Sequence, residues 1–176
     1  MATIVVLNGT SSSGKTSIAR AFQELAPGVF LNFSIDSILY ALPESAIARI
    51  QRGADIADLR FPELVRAFYA CVRELAALGH DLVIDHAVTS RATAELLRAA
   101  VESHRTLLVG LDCPLPVLVE RERARSDRMP GLAAAQCDRI HQWLEYDLVI
   151  DTSRVDAGEA ARRIASALPA TTRNRS

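Results

Sequence analysis

Apolar positions along the chain fall into two kinds of run that take turns. Short apolar, often β-branched stretches at residues 3–8, 29–35, 81–85, 106–112 and 148–151 read as strands covered on both faces. Between them, apolar residues recur at three- and four-residue spacing, as one face of a helix does. Ile18, Phe22 and Leu25 form one such face. Phe61, Leu64, Val65, Phe68, Tyr69, Val72 and Leu75 form a second of four to five turns, with Pro62 suited to its first turn and Gly79 to its C-terminal cap. Further helices are expected near 91–103, from Pro114, over 132–144, and from Asp156 through Ala160, Ala161, Ile164 and Leu168.

Prolines and glycines punctuate the pattern. Pro27-Gly28 breaks the first helix, and Pro43 divides 38–50 into two short helices. Residues 53–60 are polar and read as a surface loop near the strand ends, and Met129-Pro130-Gly131 marks a turn. Strands alternating with helices indicate an α/β domain with a parallel sheet, and right-handed crossovers put helices on both faces. The expected architecture is a three-layer fold with five parallel strands in the order 2-3-1-4-5, spanning 1–168, followed by a polar, frayed tail over 169–176.

Composition narrows the class. A chain of 176 residues is the size of one domain. A formal charge of −1 gives no bulk attraction to nucleic acid or to an anionic membrane, and no apolar run reaches spanning length. No charged-then-apolar leader pattern opens the chain, so a cytoplasmic protein is expected. Cys71, Cys113 and Cys137 are scattered without a C-x-x-C pair and read as buried, reduced thiols. No exposed apolar stripe announces an oligomeric state.

The densest chemistry lies between the first strand and the first helix. Gly9-Thr10-Ser11-Ser12-Ser13-Gly14-Lys15-Thr16 reads G-x-x-x-x-G-K-[ST], the phosphate-binding P-loop pattern, with Ser17 following it into the helix. Gly9 and Gly14 allow the sharp turn and close approach to phosphate oxygens that a Cβ would obstruct. Successive N–H groups then form an anion nest at a helix N-terminus. Lys15 brings a point charge to the β- and γ-phosphates, and Thr16 a hydroxyl to Mg²⁺. Lys15 is also the chain's single lysine, one of 20 basic Lys and Arg residues. With no other lysine there is no N-K-x-D guanine signature, so ATP is the expected nucleotide.

Ligands of such sheets lie beyond the C-terminal strand ends, where Asp36, Asp85, Asp112 and Asp151 fall. Asp36 either orients or deprotonates an acceptor hydroxyl, or caps the next helix. Asp85 ends a run like a Walker-B strand, whose carboxylate serves Mg²⁺, or else is a turn residue. His86 either lines an acceptor pocket or is a hydrogen-bonded structural residue. Asp112 is expected to cap the helix entered at Pro114, and Asp151-Thr152 to form a turn. Arg121, Arg125 and Arg128 share a helical face that runs into a turn, and read as an arginine-bearing lid over the nucleotide rather than a solvated helix of Glu–Arg pairs. His141, Trp143 and Tyr146 read as packing.

The ordered set of segments resembles the chloramphenicol phosphotransferase-like family of small P-loop kinases. The residues that carry it are 4–16, Ile35-Asp36-Ser37, 82–85, 121–128 ending Arg125-Ser126-Asp127-Arg128, His141, and Glu145-Tyr146-Asp147 through Asp151-Thr152. The resemblance implies ATP-dependent phosphorylation of a primary hydroxyl on chloramphenicol, giving antibiotic resistance. It implies Asp36 as the catalytic carboxylate and Arg125 and Arg128 as lid arginines, beside the Lys15 at the phosphates and the Thr16 and Asp85 at the metal that the motifs themselves suggest. The chain departs from the family at Asp85-His86, where two acidic residues are expected, and over 43–60, so a related hydroxyl compound fits equally. A metabolic kinase of the same architecture acting on a sugar, a nucleoside or a shikimate-like acid, with Arg49, Arg52 and Arg60 about its pocket, is the alternative. A nucleotide-binding regulatory protein without transfer activity is a third.

Overall fold

The computed structural model describes residues 1–124 and 131–168. The expected tail over 169–176 and the stretch 125–130 lie outside the described residues.

Five strands pair in parallel in the order β2-β3-β1-β4-β5. They are β1 Thr3–Asn8, β2 Phe30–Ser34, β3 Asp81–Asp85, β4 Arg105–Asp112 and β5 Leu148–Asp151. The register sets Leu7 beside Asp85 and Asn8 beside Gly110, so the ends of β1, β3 and β4 open on one edge of the sheet.

Period-two alternation divides β1 between two cores. Ile4 and Val6 face a layer built from α4 (Phe61–Ala77) and α5 (Arg91–Val101), with Phe68, Val72 and Leu97 fully buried there. Val5 and Leu7 face α1 (Lys15–Leu25) and α8 (Ala157–Ala167), where Ile18, Phe22 and Ile164 pack. Ser90 caps α5 through the Thr93 amide at 3.2 Å, and Asp156 caps α8 through the Glu159 amide at 2.8 Å. Gly79 stands just past α4 at φ +90°, as a left-handed helix end requires.

Several local expectations change. Strand two stops at Ser34, which caps the short helix α2 (Ile35–Leu39), so Asp36 lies in the first turn of a helix and is not its cap. The second short helix, α3 (Glu44–Gln51), starts after Pro43 as expected. The polar loop at 53–60 contains a 3₁₀ turn, Ala57–Leu59. Asp112 does not cap α6 (Leu115–Arg123); that position falls on Pro114, and the Asp112 carbonyl instead accepts the Thr152 amide at 2.9 Å. The helix expected over 132–144 ends early, as α7 (Leu132–Cys137). Of the residues beyond it only Ile140 and Leu144 are buried, and Asn8 takes the Ile140 carbonyl at 2.7 Å, so turns replace the helix. Cys113 is buried, whereas Cys71 is exposed and Cys137 half-buried, contrary to three buried thiols.

Candidate active site

The loop after β1 is held from both ends. Asn8 is 1 % exposed and makes three hydrogen bonds: its amide nitrogen donates to the Ile140 carbonyl at 2.7 Å and the Tyr146 hydroxyl at 2.6 Å, and its oxygen accepts the Val88 amide at 2.8 Å. Tyr146 in turn meets His141 Nδ1 at 2.8 Å. Partial burial lowers the His141 pKa and raises that of Tyr146, so both are neutral near pH 7. At Gly9 a Cβ would stand 2.6 Å from Ser13 Oγ and 2.9 Å from the Leu111 carbonyl, so only glycine fits. Gly14 caps α1 at φ +93° and Ser12 sits at φ +63°, both left-handed, which turns the amides inward.

That cradle suits a phosphate chain. Among the described residues the buried hydroxyls of Ser11, Ser12 and Ser13 have no hydrogen-bond partner, an arrangement that costs free energy unless a ligand meets them. Lys15 Nζ donates to the Gly9 and Thr10 carbonyls at 2.9 and 2.8 Å and stands 4.0 Å from Asp85 Oδ1. Thr16 Oγ1 donates to Asp85 Oδ2 at 2.7 Å. A hydroxyl and a carboxylate side by side can share one hard cation whose other ligands are phosphates and water. Among the described residues no group of three His, Cys, Asp or Glu could hold a metal ion.

A cavity of about 590 Å³ runs from the loop toward α2, α3 and α4. Lys15, Thr16 and Asp85 stand in its lining together with Asp36, which brings the expected residues onto one chamber. The remaining lining is largely apolar, including Leu39, Ile47, Ile50, Ile56, Phe61 and Val65. Arg49 is turned away onto the Asp58 carboxylate, 3.0 Å through Nη1, and Arg60 onto Glu63 at 3.3 Å. No arginine of the described residues lines this cavity.

His86 also lines it, 7 % exposed. Its Nδ1 meets the Tyr69 hydroxyl at 2.7 Å, and its ring stands edge-on to Phe68, centroids 5.3 Å apart. Burial, aided by the Lys15 charge, lowers its pKa to about 3, so the imidazole is neutral. Burial alone raises the Tyr69 phenol far above its usual range.

A second hollow of about 290 Å³ lies on the β5 side of the loop, between Ser13, Ser17, Val155 and Ala157. Arg121 lines it, donating to the Thr152 carbonyl at 2.7 Å and contacting Thr152 Oγ1 at 3.4 Å. Of the three arginines expected to form a lid, Arg121 is therefore anchored beside the P-loop, while Arg125 and Arg128 lie outside the described residues. Asp151 makes the expected turn, its Oδ1 accepting the Ser153 amide at 2.9 Å. Glu122 is not a solvated partner of arginine: it is 7 % exposed and accepts the Gly131 and Ala133 amides at 2.8 and 3.0 Å, tying α6 to α7.

Gln136 was not foreseen at all. From α7 its Oε1 accepts the Ser11 amide of the phosphate loop at 2.7 Å. Pattern reading had no access to it, because only folding brings α7 against the loop.

A P-loop at the end of the central strand of a 2-3-1-4-5 parallel sheet, opening on an acceptor-sized chamber, defines the class of P-loop kinases. The chain belongs to the chloramphenicol phosphotransferase-like protein family, whose model matches residues 2–169. A Mycobacterium tuberculosis protein (strain H37Rv) named "Putative O-phosphotransferase Rv2636" is 27% identical over 183 residues, covering 92% of this chain and 80% of the relative. Two solved structures share the fold. A sugar kinase of Janibacter sp. HTCC2649 superposes with a TM-score of 0.70 at 21% identity, over 97% of this chain and 99% of that one. The shikimate kinase of Acinetobacter baumannii, in complex with shikimate, gives 0.64 at 18%, over 93% and 90%.

Proposed function

We propose that this small-molecule kinase transfers the γ-phosphate of ATP to a hydroxyl of an uncharged acceptor with an apolar body, chloramphenicol or a related alcohol. One observation carries the reading: the phosphate loop and Asp36 line the same apolar-walled cavity. The Asp36 carboxylate orients the acceptor hydroxyl and takes its proton as the oxygen bonds to phosphorus and the bond to the β-phosphate breaks, leaving a phosphate ester and ADP. Lys15 and the loop amides offset the phosphate charge, and Arg125 and Arg128 supply the lid. Thr16 and Asp85 would hold Mg²⁺, which would offset the charge of the transferring phosphate.

Among the described residues no arginine lines the cavity, which disfavours a shikimate-like acid: Arg49 and Arg60 are held by Asp58 and Glu63, and Arg52 is not in the lining. The test is a mass-spectrometric screen of hydroxyl compounds with Mg·ATP, including chloramphenicol, a sugar, a nucleoside and shikimate. The expected product is a mono-phosphate of an apolar alcohol. Preference for shikimate would overturn the acceptor class, and tight ATP binding without any phosphorylated product would favour a regulatory nucleotide-binding role.

A further inference from the structure

The mechanism above leaves one buried pair unused, His86 in the lining of the acceptor chamber and Tyr69 behind it. The Tyr69 hydroxyl is buried, and His86 Nδ1 at 2.7 Å is its only hydrogen-bond partner among the described residues. A phenol proton buried in an apolar core goes to an acceptor where one is in reach. Nδ1 is therefore the acceptor, and the ring proton of a neutral imidazole resides on Nε2. Phe68 packs edge-on to this ring and stacks on Phe33 at 5.2 Å, so the imidazole is held in place by packing as well as by Tyr69. His86 lines the acceptor cavity, and with Nδ1 engaged, the nitrogen left for a ligand is Nε2.

We propose that His86, with its tautomer set by Tyr69, is a specificity-determining residue that donates a hydrogen bond from Nε2–H to a second, uncharged oxygen of the acceptor. The acceptor then carries two oxygens on an apolar body: the hydroxyl that Asp36 orients, and another that His86 reads. This inference rests on the kinase reading above. The chemistry of the chamber favours a neutral oxygen over a carboxylate, because no arginine of the described residues stands in the lining to meet an anion. His86 is held by Tyr69 on one side and by Phe68 on another, and a donor fixed in this way discriminates among ligand oxygens. A ligand without the matching oxygen leaves the Nε2–H unpaired within the complex, whereas a ligand with it satisfies the group.

The experiment compares two probes that differ by one oxygen, 1-phenyl-1,3-propanediol and 3-phenyl-1-propanol, as acceptors with Mg·ATP. The wild-type protein should favour the diol by roughly tenfold in kcat/KM, as for one buried neutral hydrogen bond. In the double variant Tyr69→Phe/His86→Phe, which removes the pair together and orphans no hydroxyl, that preference should vanish while the Kd for ATP stays within about twofold. His86→Gln, whose terminal amide can place a donor near the Nε2 position, should restore part of the preference. An unchanged diol preference in the double variant overturns the assignment, as does an equal loss of ATP affinity, which would mark a structural role. A separate readout needs no turnover: nitrogen-15 spectra of the imidazole should show Nε2 protonated and Nδ1 bare, with Nε2 shifting when the diol is added in the presence of a non-hydrolysable ATP analogue. A proton on Nδ1, or no shift with the diol, overturns the proposal. If no alcohol is phosphorylated at all but the diol still shifts Nε2, the kinase reading fails and the His86 assignment stands.

Discussion

Gln136 holds a phosphate-loop amide, so removing its side chain should tighten nucleotide binding. Its Oε1 accepts the Ser11 N–H at 2.7 Å, inside the run of amides that would face phosphate oxygens. One N–H cannot serve both partners well, so a nucleotide that engages Ser11 must first displace Gln136. The net worth of a neutral hydrogen bond of this kind is about 0.5–1.5 kcal/mol. At 1.4 kcal/mol per tenfold, Gln136→Ala should lower the Kd for ATP by about 2- to 12-fold.

Gln136→Glu should do the reverse. A carboxylate in the same place accepts the same N–H with a full charge, at about 1.5–3 kcal/mol, and repels the incoming phosphates, so ATP should bind about 10- to 100-fold more weakly. Calorimetric titration of the three proteins with ATP measures both shifts directly. The opposite signs separate competition from simple damage to α7, which would weaken binding in both variants. Weaker ATP binding by Gln136→Ala would refute the reasoning, because it would make Gln136 a ligand of the nucleotide instead of its competitor.

Asp36→Asn should lower kcat by about 10²–10⁴ with ATP affinity unchanged, as expected for a lost base or orienting carboxylate; full transfer activity would remove Asp36 from the mechanism. Glu122→Ala orphans the Gly131 and Ala133 amides and should cost about 2–4 kcal/mol, read as a lower urea midpoint at constant slope. His86 takes a proton in the unfolded chain near pH 6.5 but in the native protein only near about 3. Its contribution to stability is therefore complete above pH 6.5 and declines on acidification toward pH 3, at up to about 1.4 kcal/mol per pH unit. Urea unfolding of the nucleotide-free protein at pH 6.5 and pH 5 should show that slope, and the Tyr69→Phe/His86→Phe variant should show a shallower one.

Local signals account for most of what could be read in advance. The phosphate loop announces itself because glycine, lysine and threonine spacing reflects backbone geometry within eight consecutive residues, 9–16. The strands were visible because a sheet covered on both faces demands uninterrupted apolar runs, and they pair in the order 2-3-1-4-5 expected of the P-loop fold. The helix expected over 132–144 fails for the opposite reason. Its apolar spacing was acceptable, but Asn8, more than a hundred residues earlier, captures the Ile140 carbonyl and holds the chain in turns. The carboxylate of Glu122 was hidden within a charged run whose usual meaning is solvent exposure, and only the fold reveals the two amides it meets.

What pattern reading missed has a common character. Asn8, Gln136, Glu122 and the Tyr69 partner of His86 all act through hydrogen bonds between different elements, and three of these join the segment 131–146 to the rest of the molecule. Asn8 reaches Ile140 and Tyr146, Gln136 reaches Ser11, and Glu122 reaches Gly131 and Ala133. The segment that carries α7 is thereby fastened to the strand before the phosphate loop, to the loop itself, and to the end of α6. Of these contacts only the one to Ser11 lies on a group that a phosphate would claim, so it is the one that nucleotide binding must exchange. The other two hold α7 in place while that exchange occurs. This is why Gln136→Ala and Glu122→Ala should separate cleanly, the first changing nucleotide affinity and the second changing stability.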